Sequence, residues 1–137
     1  MKAKPHSSFR GVFAALVTPM KANEGVDLKT LAQHVETMIA SGIHGLIPLG
    51  STGEFYALTA EERRAVLLTT LEAAAGRVPV VAGTNAGSTR DVIAFSREAE
   101  ELGCDGVMLA PPNCVNSKPR WPNCPKAGAH KMENHEP

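Results

Sequence analysis

The 137 residues are enough for one modest core, and 43% hydrophobic with 20% charged residues is ordinary for a soluble domain, which excludes disorder of the whole chain. Fourteen basic and fourteen acidic side chains leave a formal net charge of zero, so no electrostatic footprint for nucleic acid or an acidic membrane is present. The apolar run at 12–17 is far short of the roughly 20 residues that span a bilayer and lacks the flanks of a signal peptide, while three cysteines form no disulfide framework, so the expected setting is a reducing cytoplasm.

Residues 1–10 hold Lys2, Lys4, Pro5, Ser7 and Ser8 without periodicity and read as a loose terminus. Residues 11–17 form a short apolar run closed by Thr18 and Pro19, which predicts a buried strand with Thr18 at its C-terminal end. Asp27 is a candidate N-cap for a helix whose apolar face is Leu28, Leu31, Val35, Met38 and Ile39, with Gly42 as its stop. A second strand is expected at 45–49. Thr59 then opens a helix with a capping box, because Glu62 lies three residues on and can return a hydrogen bond to the cap's backbone N–H. Val66, Leu67, Leu71 and Ala74 supply its buried face up to Gly76, and a third strand is expected at 78–83. Ser88 or Thr89 caps a third helix with Val92, Phe95, Ala99 and Leu102 on one side, and Gly103 ends it ahead of a fourth strand at 106–110.

Ser41-Gly42-Ile43-His44-Gly45-Leu46 aligns with Leu102-Gly103-Cys104-Asp105-Gly106-Val107, each a helix stop that runs into a strand. Strand starts recur at roughly 30 residues, the size of a βα unit, and short strands apolar on both faces alternate with amphipathic helices, which predicts a parallel α/β architecture. A doubly wound sheet is compatible with this pattern. The barrel is preferred because the loops rich in small polar residues all follow strand C-termini, where (β/α)₈ barrels place their sites. A complete barrel takes eight units and about 250 residues. The sequence therefore reads as four units of a (β/α)₈ TIM barrel, a half-barrel at 11–112, followed by an irregular tail at 113–137 that is rich in proline and expected to be disordered.

The loop after the second strand carries the most chemistry. Gly50-Ser51-Thr52-Gly53 brackets two hydroxyls with glycines, which take positive φ cheaply and let a ligand approach the backbone, so the turn suits an anionic oxygen. Glu54 is read as a carboxylate that satisfies loop N–H groups. Thr18, Thr84 and Asn85 stand at strand ends facing the same place, though turn formation explains them equally well. His44 stands at the N-terminal end of its strand, away from that place, and is read as structural.

With Glu62 at the right distance, Gly50-Ser51-Thr52-Gly53-Glu54-Phe55 resembles the signature of the dihydrodipicolinate synthase / N-acetylneuraminate lyase family. Ala15-Leu16-Val17-Thr18-Pro19, Val81-Ala82-Gly83-Thr84 and Gly106-Val107-Met108-Leu109-Ala110-Pro111-Pro112 extend the resemblance over about the first 112 residues, in the family's order and spacing. The resemblance implies a class I lyase or aldolase that joins or releases pyruvate, or a related 2-keto acid, through a lysine Schiff base, with no metal or other cofactor and usually as a homotetramer. Thr52 would hold the keto acid's carboxylate through side chain and backbone, with Gly50 and Gly53 shaping the cradle. Ser51 would occupy the relay position and hydrogen-bond a proton-shuttling tyrosine.

The family's imine-forming lysine belongs on the sixth strand and its relay tyrosine on the fifth, and four strands are expected here. Lys118, Lys126 and Lys131 lie in the aperiodic tail, with nothing to desolvate them. The family's tyrosine pair after the fourth strand is replaced by Asn113 and Cys114, a switch that suggests truncation or a frameshift. The chain is therefore expected to be inactive alone. Alternatives are a non-catalytic, self-associating half-barrel and a fragment of an N-acetylneuraminate or keto-deoxy sugar acid lyase or dehydratase. Cys114, Cys124, His130 and His135 suit zinc by type, but the nine residues between the cysteines lack the close pairing of common zinc sites, so no metal is expected. Trp121 could anchor a peptide partner, though an out-of-frame tail would supply such a residue by accident.

Overall fold

Asp27, Thr59 and Ser88 each cap a helix in the computed structural model, which describes residues 9–110. Asp27 opens α1 (Leu28–Ala40), accepting from the Thr30 N–H at 3.0 Å and from its hydroxyl at 2.8 Å. The Thr59 hydroxyl accepts from the Glu62 N–H at 3.2 Å, and the Glu62 carboxylate accepts from the Thr59 N–H at 2.9 Å, so the reciprocal box opens α2 (Ala60–Ala74). Of the two residues expected to cap α3 (Thr89–Leu102), Ser88 does so.

The strands are shorter than the apolar runs that predict them: β1 (Phe13–Ala15), β2 (Gly45–Ile47), β3 (Val81–Gly83) and β4 (Gly106–Met108). Flanking residues nevertheless keep ladder-like bonds, with the Leu16 N–H donating to Ile47 O and the His44 N–H to Val12 O. β1 pairs parallel with β2, and β3 parallel with β4. A parallel bridge between Leu46 and Val80 joins the two pairs, with further bonds from Leu46 N to Pro79 O and from Gly83 N to Pro48 O, both 2.9 Å. The lateral order is thus β1-β2-β3-β4, the order of the chain. A doubly wound sheet reverses its strand order at a switch point, whereas a βα barrel adds each strand beside the last. The described residues make three strand–helix units and the strand of a fourth, an open arc of a barrel wall.

The core lies between this wall and the helices. Leu16, Leu46 and Val80 pack against Val35 and Ala74, and Leu49 and Ala82 pack with Leu31, Val66, Leu67 and Ala99. On α3 only Val92 and Ala99 are buried, while Phe95 and Leu102 are half-buried. Apolar side chains toward the arc's last strand are more open: Val107 is 47% and Leu109 54% exposed. His44 does serve the fold. Its Nδ1 accepts from the Val12 N–H at 3.1 Å, and its ring lies over Gly11, where a Cβ would collide with it. No helix among the described residues is long and apolar enough to cross a membrane. The tail residues singled out in the sequence (Asn113, Cys114, Lys118, Trp121, Cys124, Lys126, His130, Lys131 and His135) lie outside the described residues.

Candidate functional site

β2 delivers the chain to the C-terminal rim of the arc, where Pro48, Leu49 and Gly50 are buried and Ser51 and Thr52 emerge into solvent. Ser51–Gly53 form one 3₁₀ turn and Phe55–Ala57 a second, joined by Glu54 in the left-handed region at φ 52°. Within the first turn the Gly53 N–H donates to Gly50 O and the Glu54 N–H to Ser51 O. The N–H groups and hydroxyls of Ser51 and Thr52 have no hydrogen-bond partner among the described residues. The turn accordingly offers up to four donors at one exposed place, the arrangement an anionic oxygen needs.

The glycines shape this turn differently from the sequence expectation. Gly50 has φ −78°, and neither it nor Gly53 is in the left-handed region; Leu49 (φ 60°) and Glu54 (φ 52°) are. What Gly53 supplies is room, whereas the Cβ position of Gly50 meets only an ordinary contact. A Cβ on Gly53 would stand 3.0 Å from Leu16 O and 3.3 Å from Thr18 Oγ1, and one on Gly50 would stand 3.4 Å from Met108 Cε. Glu54 also departs from expectation, since its exposed carboxylate makes no hydrogen bond to the loop among the described residues; its backbone conformation links the two turns instead.

The neighbouring polar residues are braces. Thr18 Oγ1 donates to Gly53 O at 2.8 Å and ties the end of β1 to the turn. Asn85 Oδ1 accepts from the Ala110 N–H at 2.6 Å and ties the loop after β3 to the end of β4. Thr84 is buried and turned toward α3, where its Oγ1 accepts from the Ser96 hydroxyl at 3.1 Å, so it does not face the turn.

One residue of the rim was not anticipated from the sequence. Arg63 is only 5% exposed, and its guanidinium donates to Phe55 O at 3.4 Å, Asn85 O at 3.1 Å and Gly83 O at 3.2 Å. It lies 4.0 Å from the centroid of the Phe95 ring and 5.5 Å from that of Phe55. Burial pulls its pKa below the ordinary arginine value, and the negative charge of Glu98 opposes that pull. The available signal was spacing: Arg63 stands three and four residues before Val66 and Leu67, on the apolar face of α2.

The sequence pattern of the Dihydrodipicolinate synthetase family matches residues 8–120. The chain belongs to this family. It is 42% identical over 106 residues to the 4-hydroxy-tetrahydrodipicolinate synthase of Methanospirillum hungatei, a match covering 76% of this chain and 36% of the relative. The enzyme of the same name from Halorhodospira halophila is 47% identical over 108 residues, with the same coverage. Among solved structures, the chloride-inhibited dihydrodipicolinate synthase of Acinetobacter baumannii, complexed with pyruvate, superimposes with a TM-score of 0.75 at 38% identity, covering 77% of this chain and 36% of that one. The 4-hydroxy-tetrahydrodipicolinate synthase of Methylacidiphilum fumariolicum gives 0.73 at 34% identity, covering 77% and 35%. The chain thus spans about a third of the length of these relatives, and its open arc corresponds to part of their barrel.

Proposed function

We propose that this chain is the keto-acid-binding N-terminal half of a dihydrodipicolinate synthase-like lyase, working in the cytoplasm, with the Ser51–Thr52 turn as the cradle for the carboxylate of pyruvate or a related 2-keto acid. The observation that carries this reading is the exposed set of N–H and hydroxyl donors on that turn, without partners among the described residues, at the C-terminal rim of a parallel βα arc. Thr52 would bind the carboxylate through its hydroxyl and backbone N–H. Ser51 would accept its place in a proton relay with a tyrosine from a later strand. Pyruvate in the Acinetobacter baumannii relative lends the ligand class support.

In this reading the chain alone forms no imine. A Schiff-base lysine must be desolvated to be nucleophilic at neutral pH, and Lys21 and Lys29, the lysines among the described residues, are both exposed. The reading includes no metal or other cofactor, because the family resemblance implies a lysine Schiff base. Borohydride reduction with pyruvate tests the inactivity: no lysine should gain a stable mass adduct, and an adduct on any lysine would overturn it. Titration of the amide spectrum with pyruvate tests the cradle.

A second reading is favoured by the open apolar side chains at the arc's end, Val107 and Leu109. In it the half-barrel is non-catalytic and self-associates to cover them, as apolar surface of that kind is otherwise a liability. Light scattering separates the two, since a folded monomer that binds no hydrophobic dye would exclude obligate association. In the lyase reading the choice between joining pyruvate to aspartate semialdehyde and cleaving or dehydrating sialic acid or a keto-deoxy sugar acid is made by parts of the family barrel beyond this arc.

A further inference from the structure

We propose that Arg63 is a positioning residue: set against the Phe95 ring and near that of Phe55, it locks the turn after β2 to the turn after β3 and thereby holds Ser51 and Thr52 in the geometry that receives a carboxylate. The inference rests on the reading of the Ser51–Thr52 turn given above and adds a residue that does not touch the ligand.

A buried cation is costly to solvate, and a helix face that needed only packing would be served better by an apolar side chain. Arg63 instead spends its guanidinium entirely on main-chain carbonyls among the described residues: Phe55 O on one turn, Gly83 O and Asn85 O on the other. The planar fork of arginine carries several N–H donors in fixed directions, which lets one side chain reach two loops at once. The ring of Phe95, 4.0 Å from the guanidinium carbon, and that of Phe55, at 5.5 Å, flank that fork with cation–π contacts.

The consequence for Ser51 and Thr52 follows from where their own turn is anchored. It has two external side-chain tethers among the described residues, Thr18 Oγ1 on Gly53 O and Arg63 on Phe55 O. These grip the backbone on either side of Glu54, whose left-handed conformation sets the angle between the two 3₁₀ turns. Through Asn85, whose side chain accepts from the Ala110 N–H, the same network extends to the end of β4. All four strand ends are thereby linked, and Arg63 is the side chain of this network that joins the turn after β2 to the end of β3, beside the backbone bond from the Gly83 N–H to Pro48 O.

The test uses the full 137-residue chain, isotopically labelled, with amide spectra followed during titration with pyruvate. Two variants are compared with the wild type. Arg63→Lys keeps the charge but cannot bridge both turns. Phe95→Leu leaves every hydrogen-bonding group in place and removes the ring stacked on the guanidinium, from a helix that carries none of the turn. The expected result is pyruvate affinity reduced about tenfold or more in Arg63→Lys and several-fold in Phe95→Leu, with the Thr52, Glu54 and Ala110 amide signals displaced and those of α1 unmoved. A residue that served only stability would lower the unfolding midpoint and leave the affinity of the folded protein unchanged. Wild-type affinity in a folded Arg63→Lys, or in Phe95→Leu where the lysine variant does not fold, would overturn the proposal. If wild type itself shows no response to pyruvate, the carboxylate reading fails, and the locking is decided without ligand: displaced Thr52 and Glu54 signals in Phe95→Leu support it and unmoved signals refute it.

Discussion

Gly83 presses directly against the Leu49 peptide: a Cβ on Gly83 would overlap the Leu49 carbonyl and lie 2.9 Å from Gly50 N. The Gly83 N–H also donates to Pro48 O at 2.9 Å, so the end of β3 is seated on the backbone that launches the candidate site. The obstacle is backbone, which cannot swing aside as a side chain can. Gly83→Ala should therefore cost about 2–4 kcal/mol and disorder the Ser51–Thr52 turn. Gly87→Ala is the control, since nothing stands within 4 Å of its Cβ position and its φ is not left-handed; its effect should stay within about 1 kcal/mol. Urea unfolding of the two variants measures the contrast.

Removing the Arg63 cation altogether should be more damaging than its charge alone would suggest. Arg63→Met fills much of the same space but takes the guanidinium from the buried carbonyls of Gly83 and Asn85, and from Phe55 O, which keeps the Leu58 N–H. Each unmet acceptor costs, while the relief of a buried charge gives part of that back, so a loss of about 2–4 kcal/mol is expected. By contrast, Arg64→Met, one residue on, breaks only the exposed pair with Glu98 at 2.6 Å and should change stability by less than about 1 kcal/mol. Equal midpoints for the two variants would contradict the structure.

These two arginines also mark where the sequence stops being readable. Helix starts are legible because a cap acts locally: Asp27 with Thr30, Thr59 with Glu62 and Ser88 with Asp91 each meet within three residues. The parallel βα pattern is legible for the same reason, as apolar periodicity belongs to each segment alone. Arg63 and Arg64 are chemically identical in the sequence, and only the packing of Phe95 from another helix and of carbonyls 20 and 22 residues away makes one a buried brace and the other a surface ion. The glycine expectation at Gly50 and Gly53 missed for a related reason. It assigned them local backbone freedom, but neither is left-handed, and at Gly53 the missing side chain instead makes room for Leu16 O and Thr18 Oγ1, which are distant in sequence. The left-handed positions went instead to Leu49 and Glu54.

The caps and ion pairs also fix the acid side of the stability profile. Asp27 has its pKa lowered, first by the Thr30 backbone N–H and then by the Thr30 hydroxyl, and Glu36 has its pKa lowered by its hydrogen bonds from Arg77. Both carboxylates are thus more acidic folded than unfolded, so the unfolded chain binds more protons as pH drops. Their stabilisation is fully present above the ordinary carboxylate range and is lost as pH falls through their lower folded values. Asp27→Asn keeps a capping oxygen but cannot titrate. Thermal melts from neutral pH into the acid range should show a shallower decline for Asp27→Asn than for wild type; a parallel decline would remove Asp27 from the account.

The candidate site makes its sharpest demand on Thr52. Its hydroxyl and N–H are exposed and without partners among the described residues, so replacing the hydroxyl disturbs no internal bond. Thr52→Val preserves the branched shape, and stability should stay within about 0.5 kcal/mol of wild type. A hydrogen bond to a charged carboxylate is worth about 1.5–3 kcal/mol, so the same change should weaken pyruvate binding by roughly tenfold or more. Thr52→Ser restores the donor and should recover most of the affinity. The two variants separate chemistry from shape, because valine keeps the shape without the hydroxyl and serine the hydroxyl without the methyl. Calorimetric or amide titration of both with pyruvate gives the comparison, and a valine variant that binds like wild type would remove the Thr52 hydroxyl from the site.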